Sequence, residues 1–284
     1  MEGDYPNNGQ SYSELANEIH GKYLTDVFNP ENIDFQILST IRYDPKLTVI
    51  PPIIASDITK DNFFLFDEHY HRLVFTLKYF HVQTHDLDEL AFEIPQDFLL
   101  SKLIEAITLS DRLVFEPMKI RLLVSLDGDV KVELHDTGYR DNLLDGIQDN
   151  SFSPEDIWDV YIDKELTFMS PFTSFKTTNR KVYTAARERV LPGIRAGKEE
   201  VLLINGLGHL MEGSITNVAI RRKKDGKWIT PQLSSGCLCG VMRHFLLRKD
   251  FIEEETILLR SLEIDTEILL FNGIMGVVRG KIVG

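Results

Sequence analysis

The sequence predicts an α+β protein of two domains, residues 1–169 and residues 170–284. Three observations carry this. Amphipathic helical spacing alternates with strand-like runs through the first half. Two Asp-Gly pairs, Asp127-Gly128 and Asp225-Gly226, stand between runs of alternating apolar residues, the short-range signature of a hairpin. An acidic, turn-rich stretch from Asn142 to Asp159 and a strand-like run to Phe168 end at Ser170-Pro171, where a linker is expected near residue 170.

The elements follow in order. Residues 1–30 hold Gly, Asn and Pro around a short helical pattern, Tyr12 to Val27, and read as an N-terminal extension. Phe35 to Tyr43 is apolar and β-rich and reads as a strand, followed by the turn signals Asp44-Pro45 and Pro51-Pro52. Asp67 to Tyr79 starts with acids and, with Phe80, spaces Leu73, Phe75 and Leu77 helically. A second amphipathic helix is expected over Pro95 to Leu109, and a hairpin from Met118 around Asp127-Gly128. In the second half a polar helix is expected over Thr178 to Arg189, then a strand, Glu200 to Ile204, ending at Asn205-Gly206. Ser214 to Arg222 and Lys227 to Thr230 form the next hairpin. Leu233 to Gly240 is a glycine-bearing loop, Val241 to Leu247 starts a helix, and Glu267 to Val283 is β-rich.

Composition excludes several classes. A chain of 284 residues, 43% hydrophobic and 26% charged, has globular composition and the length for two domains. The net charge of -13 leaves no basic field for a phosphate backbone, so no nucleic-acid partner is expected. Cys237 and Cys239 supply no disulfide framework and fall short of a zinc ligand set, so no metal is expected and a reducing compartment suits them. The start, MEGDYPNNGQSYSEL, lacks the charged onset and apolar run of a signal peptide, which places the protein in the cytoplasm by expectation. The longest apolar run, from Val201, is about half of what a membrane span needs, so no membrane segment is expected.

Four separated segments carry residues capable of chemistry, and each has an ordinary structural reading beside it. His69-Tyr70-His71-Arg72 lies on a helix, where an Arg also reads as a solvated or ion-paired surface residue. Lys176, in FKTTNRKVY, also reads as a helix-flanking surface charge. Glu212 precedes Gly213, Ser214 and Thr216, a small polar run that suits a close approach of backbone to ligand, or simply a loop. In SSGCLCGVMRHF, Gly240 precedes a helix whose free N–H groups and dipole would receive a phosphate, though glycine turns before helices are common.

The order and spacing of these segments resemble the class IV pyridoxal-phosphate enzymes: branched-chain and D-amino-acid aminotransferases and aminodeoxychorismate lyases. The resemblance runs from about Thr40 to Ile282 and is tightest over Lys176 to Arg243. FKTTNRKVYTAAR is similar to the family's lysine segment, EVLLINGLGHLMEGSITNVAI to its glutamate strand pair, and ITPQLSSGCLCGVMR to its threonine-proline and glycine turn. It implies the fold type IV architecture, with a smaller N-terminal α/β domain and a larger C-terminal β-rich domain. It also implies pyridoxal 5'-phosphate as cofactor, a small-molecule substrate and a homodimer.

Residue by residue, the resemblance makes Lys176 the Schiff-base lysine and Glu212 the partner of the pyridine nitrogen. A flexible amine can hold the cofactor and release it to the substrate, and a carboxylate keeps the ring nitrogen protonated. Arg72, in the His-x-x-Arg-Leu segment, would bind the phosphate, with backbone N–H groups of Val241 and Met242 completing the cradle and Asn272 near it. Asn217 matches the asparagine that closes the glutamate loop, while an Asn entering a strand also serves only to satisfy backbone groups. Tyr183 reads either as a site residue or as a core aromatic.

The fold supports both transamination and elimination, so site details must choose. Gly240-Val241-Met242-Arg243 has Met where many aminotransferases have Thr, and the tail FNGIMGVVRGKI and the opening LSTIRYDP are similar to the fungal lyases. The expected activity is 4-amino-4-deoxychorismate lyase. The alternatives are an aminotransferase for branched-chain or D-amino acids and a non-catalytic protein of the same fold. A dicarboxylate substrate needs a cation; Arg42 is the candidate, with Thr40 two residues away on the same strand face. Arg42 also reads as a subunit-interface residue.

Overall fold

The computed structural model describes residues 34–84, 93–148 and 152–284, so the expected helix Tyr12 to Val27 lies outside the described residues. The described chain falls into two compact units: 34–141 with Lys176–Asn179, and Asn142–Phe175 with Arg180–Gly284. Position 170 lies within the second of these.

The first unit pairs a three-stranded sheet with two helices. Strands β1 (Ile37–Tyr43), β2 (Met118–Val124) and β3 (Val130–Asp136) lie antiparallel in the order β1-β2-β3. Helices α1 (Phe66–Thr84) and α2 (Gln96–Thr108) supply Leu73, Leu77, Leu99, Leu103 and Ile107 to the core. Strand alternation sorts the sheet into two faces. Ile37, Ile41 and Tyr43 join Met118, Ile120, Leu122 and Val124 in that core. The opposite face aligns Thr40 with Arg121 and Glu133, and Arg42 with Lys119 and His135. The expected Asp127-Gly128 turn forms, with Gly128 at φ 95, where glycine is at no steric disadvantage.

Lys176–Asn179 runs extended beside β1 in this unit. Leu38 N–H donates to the Lys176 carbonyl at 2.9 Å, and Thr178 N–H donates to the Gln36 carbonyl at 2.8 Å. The helix expected from Thr178 therefore starts later, at Lys181, because the backbone of Thr177 and Thr178 is already committed to strand-like pairing.

The second unit is built on an eight-stranded mixed sheet. Its strands are β4 (Trp158–Thr167), β5 (Glu199–Asn205), β6 (Leu210–Gly213), β7 (Asn217–Arg221), β8 (Trp228–Pro231), β9 (Glu253–Glu255), β10 (Glu267–Asn272) and β11 (Gly276–Ile282). The order is β6-β5-β4-β11-β10-β7-β8-β9. Among the described residues three helices accompany it: the single turn α3 (Pro171–Ser174), α4 (Lys181–Val190) and α5 (Val241–Arg248). β5 is buried along its whole length, and Leu202 and Ile204 pack with Val160, Leu210, Val218, Ile268 and Leu270. Full burial of each such side chain contributes about 1.5–3 kcal/mol before entropy is subtracted.

The strand expected from Ser214 begins instead at Asn217, since the hydroxyls of Ser214 and Thr216 and the N–H of Ile215 are bonded to Glu200. The Asp225-Gly226 turn forms as expected, with Gly226 at φ 73. None of the described helices is long and apolar enough to cross a membrane.

Candidate active site

In the first unit, His69 and Arg72 stand three residues apart on α1 and so share a face. Both reach β1: the Ser39 hydroxyl lies 2.7 Å from His69 Nδ1, and Arg72 Nη2 donates to it at 3.4 Å. Burial, and then the charges of Arg72 and Lys176, push the His69 imidazolium well below its usual range, so the ring is neutral at physiological pH. Lys176 is half-buried. His69 Nε2 and Thr177 Oγ1 are buried without a hydrogen-bond partner among the described residues, which leaves polar atoms beside these cations for a polar ligand to satisfy.

Arg42 and Thr40 share the other face of β1. Thr40 is half-buried, opposite Arg121. Arg42, 1% exposed, donates to Asp44 Oδ2 from Nε at 2.9 Å and from Nη2 at 2.6 Å, and to the Gly138 carbonyl at 3.0 Å. A substrate carboxylate at Arg42 has to compete with that pair.

In the second unit, Glu212 is buried on β6 and both its oxygens receive protein donors. Tyr183 OH donates to Oε1 at 2.7 Å, and Asn217 Nδ2, at the start of β7, donates to Oε2 at 3.2 Å. Asn217 Nδ2 also reaches the Leu238 carbonyl at 2.9 Å, tying the glutamate to the turn before α5. In that turn Gly240 caps α5 without a side-chain hydrogen bond, so the first-turn N–H groups, Val241 and Met242 among them, have no intrahelical acceptor. A Cβ at Gly240 would come within 1.9 Å of Asn217 Oδ1. Asn272 braces its own turn: its carbonyl accepts from Ile274 N–H at 2.9 Å and Met275 N–H at 3.0 Å, and its Nδ2 donates to the Ile215 carbonyl at 3.1 Å. Burial pushes the Cys237 thiol up to about 12, so it stays protonated and is not a nucleophile.

The amino-transferase class IV family pattern matches residues 57–283. This chain belongs to that family. The class IV chain is 36% identical over 269 residues to the aminodeoxychorismate lyase of Saccharomyces cerevisiae, covering 78% of this chain and 68% of that protein. Its fold matches a solved Mesorhizobium loti protein, proposed to be an amino-acid aminotransferase, with a TM-score of 0.65 and 25% identity, over 88% of this chain and 100% of that one. It also matches the branched-chain amino acid aminotransferase of Escherichia coli, with a TM-score of 0.61 and 17% identity, over 89% of this chain and 78% of that one. The α+β, two-domain fold expected of a class IV enzyme is therefore the fold of this chain.

Some residues around Glu212 escape a reading of the sequence. Glu200 reads only as the first residue of an apolar strand, yet it is fully buried and accepts from Ser214, Ile215 and Thr216. The hydroxyls of Ser214 and Thr216, which the sequence offers to a ligand, are spent on that carboxylate. An acid opening a run of four aliphatics is the one available signal, because a buried carboxylate demands donors. Arg180 and Arg187, within what the sequence presents only as a polar helix, reach Ser214.

Proposed function

We propose that this chain is an aminodeoxychorismate lyase, which converts 4-amino-4-deoxychorismate to para-aminobenzoate and pyruvate with pyridoxal 5'-phosphate as cofactor. The observation that carries this is the 36% identity over 269 residues with the yeast aminodeoxychorismate lyase. The residues suit the cofactor: a half-buried lysine and a buried arginine beside orphaned polar atoms in one unit, and a buried carboxylate and a glycine-capped helix in the other.

When bound, pyridoxal phosphate supplies an electron-accepting ring to a substrate amine. Lys176 is the residue assigned to hold it. Lys176 Nζ would also serve as the general base for the proton on the substrate carbon that bears the amine. Glu212 holds a proton on the ring nitrogen, and Asn217 orients Glu212. Arg72, and separately the N–H groups of Val241 and Met242, are the groups assigned to the phosphate. Asn272 acts on that cradle through the turn it braces. Loss of the proton from the substrate carbon would break the bond between the ring and the enolpyruvyl oxygen, the released enol would take up a proton to become pyruvate, and aromatisation of the substrate ring would make the loss irreversible. Thr40 and Arg42 are the assigned contacts for a substrate carboxylate, in competition with Asp44. The two buried free cysteines support a cytoplasmic location, and class membership supports a homodimer, which light scattering tests.

The test is an absorption spectrum of the purified protein with added cofactor, before and after aminodeoxychorismate, with pyruvate followed by a coupled dehydrogenase. A visible band absent in Lys176→Ala, together with equimolar pyruvate and para-aminobenzoate, is the expected result. A band without pyruvate moves the activity to transamination, and no band removes the cofactor assignment.

A further inference from the structure

Helix α4 carries a polar stripe along one face. Arg180 at its cap, Tyr183 and Arg187 are spaced three and four residues apart, which places them on one face. All three reach β6 or the loop that follows it. Arg180 Nη2 donates to the Ser214 carbonyl at 2.6 Å, Arg187 Nη1 to the Ser214 hydroxyl at 2.7 Å, and Tyr183 OH to Glu212 Oε1 at 2.7 Å. The middle residue of the stripe therefore touches the carboxylate itself, and the flanking arginines bond Ser214, two residues further on.

We infer that Tyr183 is a positioning residue which sets the Glu212 carboxylate against the ring nitrogen of the cofactor. The inference rests on the pyridoxal phosphate reading. A phenol has one proton to give. The carboxylate at 2.7 Å is the nearer and the charged acceptor, while the Thr173 carbonyl lies at 3.2 Å. Burial, then the Glu212 charge, pushes the Tyr183 hydroxyl well above its usual range, so the donor keeps its proton across the working range of pH. The ring is immobilised by burial, with 6% exposed, and by the Arg180 guanidinium 4.8 Å from its centroid. With Asn217 on Oε2, the carboxylate plane is fixed from two different elements. A carboxylate free to rotate would meet the ring nitrogen in several orientations, and a carboxylate so held meets it in one.

The test compares wild type, Tyr183→Phe, Glu212→Gln and the double variant, each loaded with pyridoxal phosphate labelled with 15N in the ring. The readouts are the nitrogen resonance by NMR and cofactor affinity by fluorescence titration. Tyr183→Phe should bind about tenfold more weakly and move the resonance towards the unprotonated position, as expected for loss of one hydrogen bond to a charged group. Both effects should vanish in the Glu212→Gln background. A Tyr183→Phe protein indistinguishable from wild type, or an equal change in both backgrounds, overturns the inference and leaves the cofactor assignment standing. Wild type that binds no cofactor overturns both. Should Tyr183→Phe fail to fold, 3-fluorotyrosine at position 183 keeps the ring and strengthens the donor. It must then shift the resonance in the opposite direction, and no shift overturns the inference.

Discussion

Glu200 and Ser214 are joined twice: the Ser214 N–H at 2.9 Å and its hydroxyl at 2.5 Å both donate to Glu200 Oε1. The Ile215 N–H at 3.2 Å and the Thr216 hydroxyl at 2.8 Å donate to Oε2. One buried carboxylate thus shapes the loop between Glu212 and Asn217. Glu200→Ala strands those donors in the interior and is expected to cost about 3 kcal/mol. Urea unfolding measures it, and Glu200→Gln, which keeps an acceptor oxygen, should cost less.

At Gly240 the backbone lies at φ -77 and ψ 140, a region open to any residue, so only contact limits substitution. Gly240→Ala is expected to fold, to displace Asn217 from its place between Glu212 and Leu238, and to lower cofactor affinity. Affinity equal to wild type would show that the displaced amide does not matter there.

Arg42 and Asp44 neutralise each other in the interior. Arg42→Ala leaves a buried carboxylate unpaired and is expected to lower stability by about 3–5 kcal/mol. The Michaelis constant of the surviving folded protein separates two roles. Left unchanged, it assigns Arg42 to the fold; raised severalfold, it assigns Arg42 to the substrate carboxylate.

His69 makes stability depend on pH. Its folded pKa lies below the unfolded value near 6.5, so between the two the unfolded chain binds more protons than the folded one. Stability present above about pH 6.5 is then lost as pH falls towards the folded pKa, by up to about 1.4 kcal/mol per unit from this group. His69→Gln should show a shallower fall in melting temperature over that acid limb than wild type, whatever its stability at neutral pH.

The strands and helices were largely legible because their signals are local. Apolar period and turn residues mark β1, α1, the two Asp-Gly hairpins and the helix after Gly240 without reference to anything distant. Lys176, Glu212 and Arg72 were singled out for a different reason, since the order and spacing of their segments resemble a known family. Where the reading slipped, a distant partner had taken over the local preference. Thr177 and Thr178 read as the start of a helix until the edge of β1 pairs with their backbone. Ser214 and Thr216 read as ligand donors until Glu200 accepts their hydroxyls.

By itself the sequence determined the class of fold, which resides in periodicity and turn residues, and the family, which resides in the resemblance of its motifs, and it named candidate residues for the chemistry. Only the tertiary structure decided how those residues are held. Tyr183 stands 29 positions from Glu212, Glu200 stands 14 from Ser214 and Ser39 stands 30 from His69. A hydrogen bond reaches about 3 Å and depends on direction. Which buried acceptor meets which donor is therefore settled by the packing that brings distant segments together.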